Sequence, residues 1–141
     1  MRALIQRVSS ASVRVDGETV GAIGHGLCVL LGVGPGDDER CCDKLAEKVR
    51  ALRIFDDSEG KMSEALGERE VLCVSQFTLY ANTAKGNRPS FTGAAAPALA
   101  EPLYERFCRQ LDAESGVFGA AMEVELVNDG PVTLMLEVEP L

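Results

Sequence analysis

The sequence holds a single histidine, His25, set between Gly24 and Gly26. That scarcity disfavours two chemistries. A Ser-His-Asp triad would have to take its general base from a residue that reads as part of a turn, and a metal site built from histidine and cysteine lacks its commonest ligand. The five cysteines, Cys28, Cys41, Cys42, Cys73 and Cys108, are odd in number and show no C-x-x-C spacing. Most fall in apolar strand-like or helix-like patterns, so they are expected as buried thiols rather than disulfides or ligands. No metal constellation or nucleotide-binding glycine fingerprint is present, and neither a metal nor a cofactor is expected.

Long apolar runs are missing too. The longest, Leu27 to Leu31, is far short of a membrane span, and Met1-Arg-Ala-Leu-Ile-Gln-Arg7 meets a second charge too early for a signal peptide's apolar region. A cytoplasmic protein without a membrane partner is expected. Basic residues are the minority: 14 Lys and Arg against 22 Asp and Glu leave a net charge of −8. Coating nucleic acid needs clustered cations to release counterions, so any RNA contact must be local. Lys85 and Arg88 share one loop and Arg50 and Arg53 lie near a helix end, although a solvated charged face accounts for them equally well. With no repeat or low-complexity tract, 141 residues fit one domain over 1–141, able to bury roughly two-thirds of its unfolded surface.

What is present reads as a mixed α/β chain. Residues 2 to 15 alternate, meet Asp16-Gly17, the pair suited to a type I′ turn, and alternate again to Ile23, which predicts a hairpin. Leu27 to Val33 is continuously apolar, as in a strand inside a sheet. Acidic residues after Pro35 precede Cys42, Leu45, Ala46, Val49 and Leu52 at helical spacing. A turn at Asp57-Ser-Glu-Gly60 and a polar loop follow, then a strand at 70–80. Leu99, Leu103, Phe107 and Leu111 mark a second helix, which either begins at Pro102 or kinks there. Ala121 to Val127 and Val132 to Val138 alternate as two strands around Asn128-Asp-Gly-Pro131. The order is β-β-β-α-β-α-β-β, with early and late hairpins, largely antiparallel pairing and both helices on one face.

Two segments carry the functional signal. Val71 to Tyr80 is apolar until Ser75, Gln76 and Thr78, so a buried strand turns polar at one end. Strand alternation puts Gln76 and Thr78 on one face and Ser75 and Phe77 on the other, so the side chains cannot form one cluster. That points to backbone N–H groups near the strand end, unless these residues merely terminate a strand. No activating base accompanies the serine or threonine. The loop Lys85-Gly-Asn-Arg-Pro-Ser-Phe91 is either a clamp for a phosphate or an ordinary surface loop. Gly130-Pro131, taken alone, is a plain turn.

The whole chain, however, resembles the D-aminoacyl-tRNA deacylase family. Ala3-Leu-Ile-Gln-Arg-Val8, Ala11-Ser-Val13, Leu30-Leu-Gly-Val33, Arg53-Ile-Phe55, Gly60-Lys-Met62, Ser75-Gln-Phe-Thr-Leu79, Arg88-Pro-Ser-Phe91, Gly116-Val-Phe-Gly-Ala120 and Leu126-Val-Asn-Asp-Gly-Pro-Val-Thr133 follow the family's order and spacing. The resemblance implies a three-layer α/β/β fold and a homodimer that hydrolyses the ester joining a D-amino acid, or glycine, to the 3′-terminal adenosine of tRNA. It implies a catalytic strand at Ser75, Gln76, Phe77 and Thr78, where backbone N–H groups stabilise the oxyanion and the ribose 2′-hydroxyl assists. It also implies that Gly130 and Pro131, joined by a cis bond and oriented by Arg7, reach into the partner's pocket and reject L-amino acids. Phe118 and Met122 match positions beside the terminal adenosine, with Lys85 and Arg88 as local cations. Pro102 and a short segment between Gln110 and Ser115 depart from the family's pattern. A non-enzymatic dimeric module that binds nucleic-acid ends is the alternative, and a relaxed relative acting on small L-amino acids is a second; Arg7 favours the chiral enzyme.

Overall fold

A computed structural model describes residues 1–141. The hairpin forms as its pattern predicts: β1 (Arg2–Val15) and β2 (Glu18–Ile23) pair antiparallel, and Asp16 and Gly17 both take positive φ, 51° and 79°. β3 (Gly26–Gly32) runs antiparallel to the first half of β1, from Arg2 opposite Gly32 to Val8 opposite Gly26. The helix α1 (Glu39–Ala51) starts at Asp38, whose carboxylate accepts from the Cys41 N–H at 3.0 Å, and buries Cys42, Leu45, Ala46 and Val49. Two short strands, β4 (Phe55–Asp56) and β5 (Met62–Glu64), flank the turn in which Gly60 has φ 76°. They lie where the sequence reads as turn and loop.

β6 (Glu70–Ser75) then runs parallel to β3 and ends five residues short of the expected strand. Phe77–Tyr80 forms a single 3₁₀ turn instead. The helix α2 spans Pro97–Gln110, beginning at neither Pro102 nor Leu99. Pro97 occupies the first turn, where a missing N–H costs nothing, and Pro102 lies on the exposed side, where water can reach the freed carbonyl. Leu99 is exposed as a result, and Ala100, Leu103, Tyr104, Phe107 and Cys108 line the core.

After β7 (Glu114–Ser115), parallel to β6, the chain enters β8 (Glu123–Glu137). The expected late hairpin does not exist. Both halves of β8 pair antiparallel with the same strand, Val124 opposite Val13 at one end and Leu136 opposite Ala3 at the other. Between Asn128 (opposite Val8) and Thr133 (opposite Gln6) four residues face only Arg7, so the Gly-Pro pair leaves the ladder as a bulge and does not reverse the chain.

The layers follow from the alternation. Ala3, Ile5, Leu27, Val29, Val71 and Cys73 face the two helices, where Phe107 and Leu45 are fully buried. Cys28, Leu72 and Val74 point to the opposite face and meet Val8, Ala11, Val13 and Ile23 from the far part of the β1–β2 hairpin. β3 and β6 are thus covered on both sides, which is why they read as continuous apolar runs. The result is the expected mixed α/β fold in three layers, with both helices on one face. All five cysteines are buried free thiols. No helix is long and apolar enough to cross a membrane.

Candidate functional site

At the end of β6 the Gln76 N–H still reaches back to the Leu31 carbonyl at 2.8 Å, and there the strand pairing stops. The turn's own bonding begins with the Leu79 N–H donating to the Gln76 carbonyl at 3.2 Å. The N–H groups of Phe77 and Thr78 precede that bond and donate to no turn, loop or side-chain acceptor. Because residues 77 and 78 curl into a turn, the strand alternation expected there does not apply. Gln76 and Thr78 still meet, the amide Nε2 donating to the Thr78 hydroxyl at 2.5 Å.

Ser75, Gln76 and Phe77 line a cavity of about 340 Å³ together with Phe118, Met122, Pro97, Ala120 and Val124. Residues separated by more than 40 positions in sequence are therefore joined in one pocket. Phe118 lies against Tyr104, ring centroids 5.9 Å apart. Met122 lies over Gly116, where an added Cβ would meet its sulfur, so the glycine makes room for the thioether. Phe77 is 55% exposed and packs edge-on against Phe91 at 5.2 Å. That contact brings the loop of Lys85 and Arg88, closed by the Asn82–Ser90 backbone pair, beside the cavity mouth. Both cations are exposed and neither forms an ion pair with an acidic residue.

The other predicted cluster lies elsewhere. The Gly130–Pro131 peptide bond is cis, and Gly130 has φ 145°. Asn128 closes the bulge: its Oδ1 accepts from the Val132 N–H at 2.8 Å and its Nδ2 donates to the Thr133 hydroxyl at 3.0 Å. Arg7 is buried behind it, Nε donating to the Asp129 carbonyl at 2.8 Å and Nη1 to the Ile54 carbonyl at 2.9 Å. Nη1 also lies 3.3 Å from the Asp56 carboxylate. His25 is more than a turn residue, since its Nε2 lies 3.7 Å from Asp129 and its ring meets Phe55 edge-on at 5.5 Å. The family resemblance pointed to Arg7 but not to Ile54, Asp56 or His25, which meet Arg7 and Asp129 only through tertiary contacts.

Register sets the separation of the two clusters. Arg7 lies opposite Leu27, whereas the Phe77 turn follows Gln76, which is bonded to Leu31. The two points are four residue steps apart along β3, roughly 13 Å. Within one chain the Gly-Pro bulge and the cavity lie towards opposite ends of β3.

This arrangement defines a fold class before it defines a family. A solved structure titled c-Myc DNA Unwinding Element Binding Protein superposes with a TM-score of 0.93 at 43% identity, covering 99% of each chain. Another, titled a probable eukaryotic D-amino acid tRNA deacylase, shares the fold at 19% identity and a TM-score of 0.85, over 97% of this chain and 98% of the other. Among curated proteins, the D-aminoacyl-tRNA deacylase of Opitutus terrae is 58% identical, covering 97% of each chain. That of Desulfatibacillum aliphaticivorans is 56% identical, covering 97% of this chain and 99% of the relative. The family model described as D-Tyr-tRNA(Tyr) deacylase matches residues 4–137. The chain belongs to this family, and with it to the carboxylic ester hydrolases.

Proposed function

We propose that the protein, acting as one domain over residues 1–141 and as a cytoplasmic homodimer, hydrolyses D-aminoacyl-tRNA and glycyl-tRNA without a metal or cofactor. The observation that carries this reading is the cavity that joins Ser75, Gln76 and Phe77 to Phe118 and Met122, with the Phe77 and Thr78 N–H groups left unpaired in the turn that follows β6. Phe118 and Met122 hold the terminal adenosine, and Lys85 and Arg88 meet nearby phosphates. A few local cations suffice for an RNA end, which agrees with a net charge of −8.

Water attacks the ester carbonyl, and the Phe77 and Thr78 N–H groups receive the developing oxyanion, a donor of this kind being worth about 2.7 to 4 kcal/mol. The bond to the ribose 3′ oxygen then breaks, that oxygen takes a proton and the free amino acid leaves. An aminoacyl ester is already activated, so positioning water, aided by the neighbouring 2′-hydroxyl, replaces a protein nucleophile. Thr78 acts by position and not by covalent attack.

Gly130 and Pro131 serve the partner's cavity. Their distance from the cavity of their own chain supports this, as does the unpaired edge of β8, where Val127 and Met135 are 55% and 45% exposed. An edge strand with apolar side chains favours pairing with a second copy. There the two backbone carbonyls hold the substrate amino group and leave no space for an L side chain.

The test is the rate of ester loss from D-tyrosyl-tRNA and L-tyrosyl-tRNA with purified protein and a chelator. Loss of the D ester alone is expected. Loss of both would remove the Gly-Pro filter and keep the hydrolase. Loss of neither, with folded protein that still binds RNA ends, would favour a binding module, the reading suggested by the name of the relative at 43% identity.

A further inference from the structure

The 3₁₀ turn that presents Phe77 and Thr78 is anchored from outside its own segment. Its Leu79 carbonyl accepts no backbone hydrogen bond from the turns, loops and caps; Arg2, at the start of β1, donates to it through Nη1 at 2.8 Å. The same guanidinium lies over the Tyr80 ring, 4.4 Å from its centroid, in cation–π geometry. Tyr80 has little room to move: a Cβ added at Gly34 would be 3.1 Å from its ring, and one at Gly32 would be 3.2 Å. On its other side Arg2 Nε is 3.4 Å from the Glu137 carboxylate, and the two residues are opposite one another in the β1–β8 ladder. One planar side chain thus ties the turn to the end of the strand that carries Gly130 and Pro131.

We propose that Arg2 is a positioning residue for the hydrolysis: it fixes the Phe77–Tyr80 turn so that the Phe77 and Thr78 N–H groups point to where the oxyanion forms. This rests on the reading of those two groups as the oxyanion donors. Arg2 contacts Leu79, Tyr80 and Glu137 and not the Phe77 or Thr78 N–H groups themselves. Its effect passes through the Leu79 carbonyl and the Tyr80 ring, two contacts that a fork-shaped cation makes together and an ammonium cannot.

The test compares Arg2→Gln and Arg2→Lys with the unchanged protein in kcat, KM, thermal midpoint and amide hydrogen exchange over residues 77–81. For Arg2→Gln a fall in kcat of about tenfold with KM within about twofold is expected, because orientation of the donors and not substrate binding is lost. Exchange over 77–81 should quicken while the rest of the sheet is unchanged. Arg2→Lys should restore part of kcat, since it can reach the carbonyl but does not stack in the same way. Unchanged kcat in Arg2→Gln, or a loss of rate that only follows the loss of folded protein, would overturn the proposal. If the unchanged protein itself fails to hydrolyse D-tyrosyl-tRNA, the deacylase reading falls, and unaltered exchange over 77–81 would separately overturn the clamp.

Discussion

The Phe77–Tyr80 turn and the Asn128–Val132 bulge are both places where a strand is interrupted, yet they are held in different ways. The turn ends a strand covered on both faces. Its first two backbone donors, the Phe77 and Thr78 N–H groups, are left unpaired, and a single side chain, Arg2, holds the Leu79 carbonyl. The bulge interrupts an edge strand, and its flanks are closely paired: Asn128 bonds Val132 and Thr133, and Arg7 bonds the Asp129 carbonyl. The difference matches the two tasks proposed. A group that stabilises charge in a transition state must be free until substrate arrives, whereas a steric filter must not yield when the wrong enantiomer presses on it.

The sharpest way to break that contrast is Gly130→Ala. An added Cβ would lie 2.8 Å from the Val132 nitrogen and 3.2 Å from Arg7 Nη2, at a φ of 145°. A backbone held in such a region costs a non-glycine residue on the order of 1 to 3 kcal/mol, so the filter should shift. The D-to-L rate ratio should fall at least about tenfold, read from the two tyrosyl-tRNA esters. Arg7→Ala should come next: it leaves the Ile54 and Asp129 carbonyls without their donor, at about 1 to 3 kcal/mol each where buried. Both the thermal midpoint and the D-to-L ratio should drop.

On the side of the turn the effects should be smaller. Thr78→Ala removes only the acceptor of the Gln76 amide, so kcat should decline by less than about tenfold. A Thr78→Ala protein without activity would overturn the role given to the backbone. Changing Lys85 and Arg88 together to Glu should raise KM with little change in kcat, and the penalty should shrink as salt is added.

The smallest effect concerns neither region. Asp43, half-buried on α1, is held down to about 2 by hydrogen bonds from Arg106 and then Gln110. A depressed carboxyl stabilises the fold above its ordinary value of 3.8 and loses that contribution as pH falls towards 2. Asp43→Asn should therefore lower the thermal midpoint slightly at pH 7, and the gap should close in acid.

Much of the fold was legible because local chemistry and tertiary structure agreed. Asp16-Gly17 forms its turn, Leu27 to Leu31 lies inside the sheet, and Cys42, Leu45, Ala46 and Val49 face the core. Local signal and structure part where the signal is ambiguous. An apolar run that ends in Phe-Thr-Leu-Tyr reads as strand, whereas its turn is accompanied by tertiary contacts, Tyr80 against Gly32 and Gly34 and Arg2 on Leu79. A Gly-Pro pair between two alternating stretches reads as a hairpin. Here both stretches continue along β1, because that strand is long enough to pair with each in succession.

The site divides along the same line. Ser75, Gln76, Phe77, Thr78, Gly130, Pro131, Phe118, Met122 and Arg7 are legible through the family resemblance, which linear motifs carry because residue identity along the chain is what a motif records. Linear order carries no distance, however. That Phe118 shares a cavity with Gln76, that His25 and Asp56 lie around Arg7, and that Arg2 reaches Leu79 depend on how strands far apart in sequence align. The sequence by itself determined the hairpin turn, the apolar faces and the residues available for chemistry, because these follow from side-chain type and spacing. The register of β1 against β3 and β8 was decided only by tertiary packing, and that register sets the bulge and the turn towards opposite ends of β3.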